Sequence, residues 1–140
     1  MPEAATGQAG LAARILRKYR TVAVVGISAD EERPSHRVAR YLKEHGYRII
    51  PVSPREKEVL GERCYPDLCS IPERVEVVDV FRRARFLPRV VAEAMYAGAK
   101  VVWMQEGIVH EAAARRAREA GMEVVMDRCM MKEHRKLTGG

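Results

Sequence analysis

The feature that most constrains this chain is a series of short β-branched runs, each separated from the next by a segment of helical periodicity. Thr21-Val-Ala-Val-Val-Gly26 carries no polar alternation and stops at a glycine. Such a run suits a strand covered on both faces, which is the situation inside a parallel sheet. Tyr47-Arg-Ile-Ile-Pro-Val52, Val75-Glu-Val-Val-Asp-Val-Phe81, Lys100-Val-Val-Trp-Met104 and Glu123-Val-Val-Met126 read the same way. Between them lie helical patterns. Ala9 to Tyr19 spaces Leu11, Ile15, Leu16 and Tyr19 for one face. A second helix opens at Pro34-Ser35 with Ser35 as its N-cap, turns Val38, Tyr41, Leu42 and His45 inward, and stops at Gly46.

Further helices are predicted from about Phe86 to Ala97, from His110 to Ala120 and from Met130 to Arg135, with Gly98 and Gly121 ending the first two. Arg55 to Pro72 is irregular, with a short strand near Cys64 and a helical turn near Leu68. Strands that alternate with helices, each connected over a dozen or more residues, imply a parallel sheet wrapped by helices. The expected fold is therefore α/β: a Rossmann-like, doubly wound, mainly parallel sheet of five or six strands with helices on both faces. Residues 1–140 are read as one domain, with a leading helix within residues 1–20 and a frayed tail over 137–140.

Composition narrows the function classes. The longest apolar run falls far short of the roughly 20 residues a membrane span needs. The first residues carry an acid and no basic stretch, which argues against a secretory signal. Three cysteines, Cys64, Cys69 and Cys129, make no disulfide framework. The expected setting is the cytoplasm, with no membrane partner. Net charge is +6, and 19 of the 25 cations are Arg. Two readings of that excess stand side by side. Guanidinium forks grip phosphate in a bidentate way. Equally, a chain with no Asn and only two Gln has a thermophile-like composition. Nucleic acid is not expected as a partner, because aromatics are only 6% of residues and no base-reading motif is present.

In a doubly wound sheet, ligands bind beyond the carboxyl ends of the strands, so the residues just after each strand matter most. After the first stand Gly26, Ile27 and Ser28, then Arg33, Pro34 and Ser35 at a helix start, where free N–H groups favour phosphate. Asp30, Glu31 and Glu32 oppose an anion there unless they face solvent. The G-x-G-x-x-G of a dinucleotide site is missing, and the second strand ends Val52-Ser53-Pro54 with no acid for a ribose. No Gly-Lys-Ser/Thr exists, which excludes a P-loop. After the third strand come Phe81, Arg82 and Arg83, with Arg85 nearby: a stacking and phosphate-binding group, or a solvated helix start. Asp79 is expected to be a buried hydrogen-bonding acid and Trp103 to be core.

Nothing assembles into a catalytic set. His36, His45, His110 and His134 follow no metal-ligand spacing, and His45 is expected in a satisfied core role. Cys64 and Cys69 fit neither zinc nor a redox pair. Cys129 is the one thiol at the ligand end of a strand, where Arg128 could lower its pKa or where it could simply be buried and inert.

Several of these pieces, taken in order, resemble the stand-alone CoA-binding domain family, relatives of the N-terminal domain of the succinyl-CoA synthetase α subunit. They are Val-Ala-Val-Val-Gly-Ile-Ser28 with Arg33-Pro-Ser35, Gly46-Tyr-Arg-Ile-Ile-Pro-Val-Ser-Pro54, Val78-Asp-Val-Phe-Arg-Arg83, Ala99-Lys-Val-Val-Trp-Met-Gln105 and Val125-Met-Asp-Arg-Cys129. The resemblance implies coenzyme A or an acyl-CoA at the carboxyl end of the sheet. Gly26, Ile27 and Ser28 would face the pyrophosphate, bordered by Arg33, Pro34 and Ser35. Val52, Ser53 and Pro54 would wall the adenosine, Phe81 and Arg82 would flank the nucleotide, and Met104, Gln105 and Glu106 would contact CoA. The synthetase's phosphorylated histidine lies in another domain, so no histidine here takes that role. The resemblance thus implies a binding module without catalytic chemistry of its own and without a metal. A subunit acting on a CoA thioester with a protein partner, or another nucleotide-binding α/β domain, are the alternatives.

Overall fold

The structure is a computed structural model that describes residues 7–139. Its centre is a five-stranded parallel sheet: β1 (Thr21–Val25), β2 (Arg48–Val52), β5 (Val77–Val80), β6 (Val101–Met104) and β7 (Glu123–Val125), in the order β2-β1-β5-β6-β7. A small antiparallel hairpin of β3 (Glu58–Val59) and β4 (Glu62–Arg63) lies in the irregular stretch. No sixth strand joins the sheet among the described residues; Tyr65 adds a single parallel bridge to Val52 at the edge. The helices are α1 (Gly7–Lys18), α2 (Pro34–Glu44), α3 (Leu87–Tyr96), α4 (Glu111–Glu119) and α5 (Met130–Thr138).

Alternation along each strand sends side chains to two separate cores. Val22, Val24, Ile49, Val77, Val101, Trp103 and Val125 meet α1, α2 and α5 on one face. Ala23, Val25, Ile50, Val78, Val80, Val102 and Val124 meet α3 and α4 on the other. The expected two-sided burial is thus realised, and each fully buried Val or Leu contributes roughly 1.5–3 kcal/mol. Trp103 is core, with no exposed surface, and its indole N–H donates to the Arg128 carbonyl at 2.8 Å.

Three local expectations need correction. Ser35 is not the N-cap of α2; Arg33 is, and Ser35 lies inside the first turn because Pro34 can occupy the first helical position without an N–H. His45 is not core: it is the exposed C-cap of α2, donating Nδ1–H to the Tyr41 carbonyl at 2.7 Å and stacking on the Tyr41 ring. The tail expected to fray from residue 137 is helical through Thr138, where Gly139 caps α5 at φ 74°. Gly140, like the first six residues of the expected leading segment, lies outside the described residues. Of the two readings of Cys129 the buried thiol holds: burial pushes its pKa up, against the opposing backbone N–H groups of Lys132 and Met131, and Arg128 faces Glu133 at 3.4 Å.

The topology also brings three strand ends together. From β1 the chain winds outward to β2, and from β5 it winds the other way through β6 to β7. Val25 is level with both Val52 and Val80, so the turns after β1, β2 and β5 emerge side by side at one end of the sheet. That reversal of winding is the position at which open α/β sheets leave a crevice.

Candidate functional site

A cleft of about 680 Å³ opens at this point. Its floor is the turn after β1. Gly26 adopts φ 86° and donates its N–H to the Val52 carbonyl at 2.9 Å, while Phe81 N–H donates to the Val25 carbonyl at 2.8 Å. The three turns are thereby tied together at their bases. Gly26 admits no side chain: a Cβ there would sit 2.9 Å from both Arg82 Cδ and the Phe81 carbonyl oxygen. Arg82 therefore crosses the face of the glycine, and its guanidinium lies 4.1 Å from the centre of the Phe86 ring.

One wall is the loop into α2. Ser28 N–H donates to Ser35 Oγ at 3.0 Å, Asp30 N–H donates to Ser28 Oγ at 3.0 Å, and His36 donates from Nδ1 to the Ser28 carbonyl at 3.0 Å. Both serine hydroxyls accept from the backbone and keep their own protons for a ligand. The first turn of α2 adds the positive end of its dipole. Asp30, Glu31 and Glu32 are exposed and do not line the cleft; Glu31 faces Arg40 at 3.6 Å, and Asp30 Oδ1 accepts from Glu32 N–H at 2.9 Å. The objection these acids raise against an anion is thereby removed.

The other walls come from the turns after β2 and β5. Ser53 and Pro54 bring Arg55 and Glu56 to the cleft, and Phe81 and Arg82 bring Arg83, Arg85 and Phe86. A second hollow of about 360 Å³ lies behind Arg82 and Phe86, against Val52, Pro54, Pro66 and Val90. Of the residues singled out in the sequence, Gly26, Ile27, Ser28, Arg33, Pro34, Ser35, Ser53, Pro54, Phe81 and Arg82 line the main cleft. Val52 lines only the second hollow.

Met104, Gln105 and Glu106 line neither. They end β6, one strand further along the sheet. Met104 is fully buried, Gln105 Nε2 donates to Asp79 Oδ1 at 2.6 Å, and Glu106 pairs with Lys132 at 3.0 Å. Asp79 is the buried acid the alternation predicts. Its second carboxylate oxygen has no partner among the described residues, and burial, only partly opposed by the Gln105 hydrogen bond, pushes its pKa up to about 7.

Sequence reasoning passed over Arg55, Glu56 and Phe86. Arg55 follows directly on Ser53-Pro54, and Phe86 closes the short 3-10 helix Ala84–Phe86, which brings its ring against the Arg82 guanidinium.

The model of a family described as "CoA binding domain" matches residues 20–135 of this sequence. The chain belongs to that family. Protein YneT of Bacillus subtilis is 39% identical over 120 residues, spanning 86% of this chain and 89% of YneT. A solved structure from Pyrococcus horikoshii superposes with a TM-score of 0.91 at 41% identity, covering 99% of this chain and 97% of that one. Acetate–CoA ligase (ADP-forming) I of Archaeoglobus fulgidus is 33% identical over 104 residues, which make up 74% of this chain but 14% of the ligase. The family thus comprises both small proteins of this size and a segment of much longer ligases. No helix among the described residues is long and apolar enough to cross a membrane.

Proposed function

We propose that this CoA-binding domain chain holds coenzyme A, or an acyl-CoA, in the cleft between β1 and β5 and performs no chemistry of its own there. The observation that carries the reading is the convergence of the Gly26–Ser28 turn, the start of α2 and the guanidiniums of Arg33 and Arg82 on one crevice of nucleotide size. The pyrophosphate would lie across the Gly26–Ser28 turn, taking hydrogen bonds from the Ser28 and Ser35 hydroxyls and charge from Arg33 and Arg82. The adenosine would rest against Ser53 and Pro54, with Phe81 on the opposite wall. Met104 and Gln105 are buried at the end of β6 and would not touch the ligand; of the three only the exposed Glu106 could meet a part of it that extends past β5.

The serines at the cleft serve loop geometry, and no histidine lines it, so binding without turnover is the economical reading. The one domain would work in the cytoplasm, where CoA is found. The second reading, a component acting on a CoA thioester with a partner chain, draws on the A. fulgidus ligase, whose matching segment is only a small part of that protein.

Calorimetric titration with CoA tests the proposal. We expect one site per chain and an affinity at least tenfold weaker in Arg82→Ala, since a charge-assisted bond is worth about 1.5–3 kcal/mol. No heat with CoA or acetyl-CoA would end the reading. Steady consumption of acetyl-CoA by the chain alone would replace it with an enzymatic one.

A further inference from the structure

The cleft holds more positive charge than a pyrophosphate can use. Arg33, Arg55, Arg82, Arg83 and Arg85 all line it, against the single carboxylate of Glu56. Among the described residues none of these five lies within ion-pair distance of an acid; what sets them apart from the other unpaired arginines is that all five line one crevice. The shortage is not one of nearby acids, because Asp30, Glu31 and Glu32 stand in the adjoining loop and turn elsewhere. Uncompensated guanidiniums gathered at one crevice repel one another, which an anionic ligand relieves.

The five also fall into two groups. Arg33 caps α2 beside the Ser28 and Ser35 hydroxyls, and Arg82 is drawn across Gly26. These two serve the floor of the cleft. Arg85 stands on the short 3-10 turn beyond β5 and Arg83 caps it, both exposed, with the Arg85 guanidinium 4.8 Å from the Phe86 ring centre. Arg55 reaches the same cleft from the turn after β2. A pyrophosphate diester brings two negative charges, which Arg33 and Arg82 balance. A phosphate monoester adds about two more.

From this division we infer that Arg83 and Arg85, assisted by Arg55, form a second anion subsite that reads a phosphate monoester on the ligand, separate from the pyrophosphate floor. Resting on the CoA reading, this assigns the subsite to the 3′-phosphate. The site then selects CoA over dephospho-CoA, and over ADP and other nucleotides that carry a pyrophosphate alone.

Titration of the wild type and of the Arg83→Ala/Arg85→Ala double variant with CoA and with dephospho-CoA separates the possibilities. We expect the wild type to bind CoA at least tenfold more tightly than dephospho-CoA. The double variant should lose that preference by weakening toward CoA while keeping its affinity for dephospho-CoA. The unchanged dephospho-CoA affinity shows that the variant is folded and its floor intact. Equal wild-type affinities would overturn the subsite, and a preference that survives in the double variant would overturn its assignment to Arg83 and Arg85. If neither ligand binds the wild type, the CoA reading itself falls and takes the subsite with it.

Discussion

Gly26→Ala is the substitution whose effect follows most directly from the geometry. Gly26 sits at φ 86°, where an L residue costs about 1–2 kcal/mol relative to glycine. The added methyl would also approach Arg82 Cδ and the Phe81 carbonyl oxygen to 2.9 Å. Arg82 can swing aside, but the carbonyl belongs to the backbone just beyond β5 and cannot move without disturbing the Phe81-to-Val25 hydrogen bond of 2.8 Å. Overpacking of this kind costs typically 1–3 kcal/mol. Together the two effects amount to about 2–5 kcal/mol, a large share of the roughly 5–15 kcal/mol that holds a domain. Gly98→Ala supplies the control: φ is 75° there too, yet nothing lies within 4 Å of its Cβ position. Urea denaturation of both variants reads the difference as a change in midpoint at constant slope. The reasoning is refuted if Gly26→Ala is no less stable than Gly98→Ala.

Other consequences can be checked in parallel. Asp79 has its folded pKa raised above the ordinary carboxylate value, so it favours the protonated native state; stability should fall as pH rises from about 4 to about 7 and level off above that. Asp79→Asn should remove this slope in pH-dependent denaturation, and an unchanged slope would show that another group causes it. His134, which hydrogen-bonds Tyr41 Oη at 2.8 Å, has its pKa lowered by burial, His45 and Arg20, so its contribution is present above about pH 6.5 and lost as pH falls through the folded value. His134→Phe should flatten the acid limb of the stability profile, and an unaltered limb would count against the histidine. Arg48 joins Glu62 at 2.6 Å and Glu73 at 2.7 Å on an exposed surface. Arg48→Ala should cost only about 0.5–1 kcal/mol, less at high salt, and a larger loss would mean the network does more than exposed pairs usually do.

The fold was legible because burial on both faces leaves a trace in the sequence. Val22 to Val25 and Val77 to Val80 lack polar alternation, and the glycines at 46, 98 and 121 mark helix ends. Asp79 was legible as the one acid inside such a run. Capping was less so: Ser35 has the chemistry of an N-cap, but Pro34 before it starts the helix one residue earlier and frees the serine for the Ser28 amide. His45 follows the helical spacing, yet it falls after the last turn of α2 and faces solvent. The cleft residues on the turns after β1, β2 and β5 could be read from their place at strand ends. Which turns share a crevice could not, because that depends on strand order, and strand order leaves no local pattern. β6 looks equivalent to β5 in the sequence, but β5 lies beside β1 at the reversal of winding and β6 does not.

Nitrogen-15 NMR of the labelled chain during a CoA titration tests, residue by residue, whether coenzyme A occupies the crevice between β1 and β5. The largest amide shifts are expected at Gly26, Ile27, Ser28, Ser35, Phe81 and Arg82, saturating at one equivalent. No shifts at all, or shifts centred on the far edge at β7 and α4 with the Gly26–Ser28 turn unmoved, would contradict that occupancy.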